Sequence, residues 1–154
     1  MMLHWPRGLY QQIPKERPEL IILAGWMHVF SRAFLEHIER ATVWIINIHL
    51  ALPRKSKRSC WVWPLTICTG LFDGAMAIER AFEKFKAERL TRTGIMAHYV
   101  IDEVDRGTPI VVKEIEWRGE ELEGLKEIMH LHEHELIVKA TTKVAQEIME
   151  GRGT

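Results

Sequence analysis

Val43-Trp44-Ile45-Ile46-Asn47-Ile48-His49 is the stretch whose reading decides how this chain folds. Its apolar residues are β-branched or aromatic, and the run is too short for a buried helix. It fits a strand buried on both faces, as in a parallel sheet. It closes on polar groups. Side chains two apart on a strand point the same way, so Asn47 and His49 share one face. In open α/β sheets, ligands bind in the crevice outside the carboxyl ends of the strands. A histidine there can carry protons near neutral pH. An amide beside it can donate to a developing oxyanion. Asp105 lies in a turn after a later strand, from which a carboxylate could reach His49, orient its ring and favour its charged form. Spacing alone does not show that it does. The plainer reading is a capped strand end and a solvated acidic turn, since strand ends often carry polar residues.

The surroundings of that strand follow the same logic. Leu20-Ile21-Ile22-Leu23-Ala24, ending at Gly25, reads as a second buried strand. Between the two, Ser31 can cap a helix over Ala33–Glu39 that places Phe34, Leu35 and Ile38 on one side. Residues 1–19 are polar and punctuated by proline, and read as irregular. After Gly70, Asp73-Gly74 is a turn, and Ala75–Glu88 has Ile78, Phe82 and Phe85 at helical spacing. Thr91–Ile101 and Pro109–Trp117 read as strands joined by the loop 102–107. Glu120–Glu150 is helical, and Gly151 ends it. Strand–helix alternation followed by a hairpin-like pair predicts an α/β open sheet of parallel strands with an antiparallel edge pair.

Composition bounds the function classes. The chain has 154 residues, one domain's worth and enough for a real core. Its 21 Lys plus Arg balance 21 Asp plus Glu, so neither a nucleic acid nor an anionic membrane surface is an expected partner. No apolar run is long enough to span a bilayer, and residues 1–12 lack a signal pattern. Cys60 and Cys68 do not make a disulfide framework, so a reducing, cytoplasmic setting is expected. His130 and His134 share a helical face and could bind zinc, but a third ligand is not evident and no metal is expected.

Several short motifs occur in a fixed order: Leu23-Ala24-Gly25-Trp26-Met27, Asn47-Ile48-His49, Ala51-Leu52-Pro53, Phe72-Asp73-Gly74 and Ala77-Ile78-Glu79. His98-Tyr99-Val100, Glu103-Val104-Asp105-x-Gly107-x-Pro109, Glu133-His134 and Ile137-Val138-x-Ala140-Thr141 follow them. In that order and spacing, the chain resembles the C-terminal part of the phosphoribosylglycinamide (GAR) formyltransferases, the fungal type especially, from about residue 17 to residue 148. The resemblance implies transfer of a formyl group from 10-formyltetrahydrofolate, as cosubstrate, to the amine of glycinamide ribonucleotide in purine synthesis. It implies a catalytic trio at Asn47, His49 and Asp105. His49 would move protons, Asp105 would hold and charge it, and Asn47 would stabilise the tetrahedral intermediate. It also implies a folate pocket built from Met27, His28, Val29 and Phe30, from Asn47, and from Ile101, Asp102, Glu103, Val104 and Asp105. The nucleotide substrate would touch His130, Leu131, His132 and Glu133, with Glu133 the main side-chain contact. A related formyltetrahydrofolate hydrolase, another formyltransferase, and a catalytically silent fragment are the alternatives.

The sequence departs from that family in three places. The family opens with a strand and a Gly-Ser-Asn-type loop that grips phosphate on backbone N–H groups, and this sequence does not carry it. An N-terminal nucleotide-binding part is therefore expected to be missing. Leu50 stands where the family has a proline that stiffens the turn. Arg54–Thr69, basic and then apolar, interrupts a join that is usually direct. The expected organisation is an unmatched segment 1–16, a catalytic and folate-binding domain 17–150 with an insertion at 54–69, and a tail 151–154.

Overall fold

The computed structural model describes residues 13, 16–26, 28–52, 76–87, 90–103 and 107–151. The insertion 54–69, the turn at Asp73-Gly74, and Met27, Val104 and Asp105 fall outside them.

Seven elements follow in chain order: β1 (Leu20–Leu23), α1 (Arg32–Arg40), β2 (Trp44–His49), α2 (Ala77–Lys86), β3 (Arg92–Tyr99), β4 (Pro109–Glu116) and α3 (Leu122–Met149). The strands form one sheet in the order β1-β2-β3-β4. β1 and β2 run parallel, and β3 and β4 antiparallel, as the sequence predicts. The middle of the sheet needs correction, because β3 is also antiparallel to β2. A strand–helix–strand segment is compatible with a parallel crossover, and here the chain through α2 returns in the opposite direction. The irregular reading of this first stretch is corrected at two of its described positions: Ile13 and Glu16 are helical, and Arg17 N–H donates to Ile13 O at 3.2 Å.

Strand alternation divides the hydrophobic core in two. Ile46 and Ile48 of β2, Ile95 and Ala97 of β3 and Ile115 of β4 face one side. There they meet Ile78, Ala81 and Phe85 of α2, and Leu125, Met129, Leu136, Ala140 and Val144 of α3. Phe85 is 1% exposed and stacks on Trp117, with centroids 5.3 Å apart. On the other side, Leu23 and Ile45 meet Phe34 and Ile38 of α1 in a smaller cluster. Ser31 caps α1 as its sequence predicts, its Oγ accepting from Phe34 N–H at 3.3 Å. Gly151, at φ 68°, takes the left-handed conformation that stops α3. Among the described residues, no helix is long and apolar enough to cross a membrane.

Candidate active site

The α1 side of the sheet carries the polar groups. Asn47 pairs with Leu23 of β1 on one flank and His98 of β3 on the other, and His49 pairs with Met96. Partners in register share a face, so Asn47, His49, Met96 and His98 all look toward the α1 side. His49 and His98 are buried, at 8% and 2% exposure. Asn47 is half-buried, yet its Oδ1 is shielded from solvent and has no hydrogen-bond partner among the described residues. An amide oxygen left without a partner costs free energy unless something fills the gap. That makes Asn47 a marked position.

A depression opens over Asn47 and His98. Its room for a ligand measures about 50 Å3. One lip is the segment after Gly25. Trp26 Nε1–H donates to His28 O at 2.7 Å, Trp26 stacks on Phe30 at 5.4 Å, and Phe30 stacks on Phe34 at 4.7 Å. The stack ties the lip to α1. The other lip runs from Val100 to Glu103, anchored by Val100 N–H donating to Ile45 O at 2.9 Å. His28, Val29, Phe30, Asn47, Ile101, Asp102 and Glu103 all line this depression. Those are the described members of the folate set named from resemblance.

The structure adds residues that sequence reasoning left without a role: Leu23, Trp26, Leu35, His98 and Val100. His98 is the most telling. Its Nδ1 lies 2.9 Å from Tyr99 O, a carbonyl that can only accept, so Nδ1 carries the proton. Strand alternation places His98 on the pocket face only once the β2–β3 register is known, and the sequence does not give that register. Gly107 closes the acidic loop. A Cβ there would run into Tyr99 O and come within 3.3 Å of His98 Nδ1. The absence of a side chain lets the loop's end press onto this carbonyl.

His130, Leu131, His132 and Glu133 do not line the depression. They sit on α3, which packs against the opposite face of the sheet. His130 Nδ1 and Glu133 Oε2 lie 3.1 Å apart, and His132 Nδ1 and Glu135 Oε2 3.4 Å apart. Among the described residues, no group of three or more His, Cys, Asp or Glu side chains could hold a metal ion.

Comparison with known proteins gives the family. Residues 4–141 match the model of the family described as formyl transferase. Phosphoribosylglycinamide formyltransferase of Schizosaccharomyces pombe is 38% identical over 137 residues, 88% of this chain and 58% of that protein. The Saccharomyces cerevisiae enzyme of the same name is 40% identical over 144 residues, 91% of this chain and 59% of that protein. The chain therefore spans about three fifths of the length of the curated relatives it matches. The crystal structure of phosphoribosylglycinamide formyltransferase from Campylobacter jejuni superposes with a TM-score of 0.68 at 26% identity, covering 92% of this chain and 65% of that one. The polar strand end, the pocket beside it and these matches lead to one conclusion: the chain belongs to the formyl transferase family.

Proposed function

We propose that the chain transfers a formyl group from 10-formyltetrahydrofolate to the amine of glycinamide ribonucleotide. The observation that carries this reading is the Asn47 amide. It sits at the carboxyl end of β2, its Oδ1 buried without a hydrogen-bond partner among the described residues, in the wall of a pocket lined by two segments at family-matching positions. The likeness to phosphoribosylglycinamide formyltransferases supplies the substrates.

In this reading the folate ring system lies over the depression, between the Trp26–Phe30 lip and Ile101–Glu103, since the room within it is only about 50 Å3. The nucleotide approaches the same strand end from the α3 side, where His130 holds Glu133. The substrate amine attacks the formyl carbon and a C–N bond forms. The carbonyl electrons move onto oxygen, and an Asn47 N–H donates to that oxyanion. His49 takes the proton released by the attacking nitrogen and returns one to N10 of the folate as the carbon–N10 bond breaks. Asp105 orients His49 and offsets its charge. Tetrahydrofolate and the formylated nucleotide leave.

The test is formyl transfer from 10-formyltetrahydrofolate to glycinamide ribonucleotide by the purified chain and by Asn47→Ala. The expected result is measurable turnover that falls about 10²–10³-fold in the variant, the usual cost of one oxyanion donor. Saturable folate binding with no transfer by the unsubstituted chain would leave the silent-fragment reading in its place.

A further inference from the structure

His49 is the last residue of β2, and the chain bends at Leu50 and Ala51 directly after it. Neither of those residues fixes its own φ as a proline would, so contacts must hold the bend. Ala51 is 4% exposed within the larger core cluster, and Leu50 packs against the same cluster, on the α2–α3 side of the sheet. Leu52 goes to the other face. A Cβ at Gly94 would run into Leu52 Cδ2 and Lys113 O, and would come within 2.9 Å of Leu52 Cγ. The Leu52 side chain therefore occupies space that a side chain at position 94 would take.

Gly94 belongs to a particular row. On β3, Gly94, Met96 and His98 alternate onto the face that carries the candidate site. His98 stands opposite Asn47, and Met96 opposite His49. The next position along the row has no side chain of its own, and Leu52 fills it from across the bend. His49 is thus the last strand residue before a bend whose far end is seated on the strand beside it.

We propose that Leu52, seated on Gly94, is a positioning residue that holds His49 for proton transfer. The proposal rests on the formyl-transfer reading above. The strand ladder restrains His49 from its N-terminal side, and the Leu52 seat restrains it from its C-terminal side. A group that moves protons in a transfer reaction needs its ring held closely, and packing of the residues around it does that. Leu52 lines no part of the depression over Asn47 and His98, so it acts through His49 and not on the folate.

Gly94→Ala is a poor test, because the new methyl group also meets the Lys113 carbonyl of the neighbouring strand. Leu52→Ala empties the seat and leaves both strands intact, while Leu52→Met keeps it filled. The measurements are steady-state formyl transfer and the proton–nitrogen signals of the His49 ring, both on the full chain. Leu52→Ala should lower kcat about 10- to 100-fold with KM for 10-formyltetrahydrofolate unchanged. Its His49 ring signals should broaden or split, where the unsubstituted chain gives one sharp set. Leu52→Met should recover both the rate and the sharp signals. Unchanged kcat for Leu52→Ala in an active chain would overturn the proposal. So would unchanged ring signals, even with a lowered melting temperature, because the seat would then be structural only. If the unsubstituted chain transfers no formyl group, the activity reading fails by itself, and the ring signals still decide whether Leu52 positions His49.

Discussion

Ile46 and Asn47 are neighbours on one strand and live in different surroundings. Ile46 is fully buried among apolar side chains from α2 and α3, in the larger core cluster. Asn47 turns the other way, toward a smaller cluster and a pocket, with a buried oxygen that no described residue satisfies. The same alternation sets Ile95 and Ala97 against Met96 and His98 on β3. One face of the sheet supplies cohesion, and the other supplies polar groups held in place by that cohesion. Side chains on well-packed strands keep their geometry, which a site for group transfer needs.

The sharpest way to separate the two faces is to damage the apolar one. Phe85→Ala removes a ring that is 1% exposed and stacked on Trp117. It should cost about 3–5 kcal/mol in urea unfolding. A loss under about 1 kcal/mol would mean that the α2–α3 face is not the main source of stability.

Gly107→Ala acts where the faces meet. A methyl group there collides with Tyr99 O, and backbone cannot yield as a flexible side chain does. The expected cost is about 1–3 kcal/mol, typical of overpacking. Reduced-folate affinity should fall with it, because the 101–103 lip is displaced. Stability lost with folate affinity kept would show that the loop and the pocket are independent.

The smallest effect concerns Tyr99, which ties β3 to α3 through Glu147. Burial, together with the Glu147 carboxylate, pushes its phenol up to about 12. The folded state therefore holds this proton more tightly than the unfolded state, where tyrosine titrates near 10. The stabilisation is complete below about pH 10 and is lost as pH rises toward about 12. Tyr99→Phe should cost about 1 kcal/mol at neutral pH and flatten the decline between those limits, read from denaturation midpoints across alkaline pH.

How much of this was legible in the sequence differs by region for a physical reason. β2 could be read from an uninterrupted apolar run, α1 from Ser31 and the spacing of Phe34 and Ile38, and the end of α3 from Gly151. Those signals are local. The antiparallel pairing of β2 with β3 is not local, so the parallel expectation failed there, and His98 went without a role although it sits opposite Asn47. The helical placement of Ile13 and Glu16 was hidden by prolines that read as breaks. The lips of the pocket follow no periodic pattern. They could be named only through resemblance, and the aromatic stack from Trp26 to Phe34 that holds one of them emerges only in three dimensions.

The division into a cohesive face and a ligand face is tested most directly by titrating a reduced folate into the full chain and following backbone amide chemical shifts. The expected result is saturable shifts at Trp26, His28, Asn47, His98 and Ile101–Glu103, with Ile78, Phe85, Met129 and Val144 unmoved. Shifts centred on the α2–α3 face, or none at saturating folate, would contradict the account.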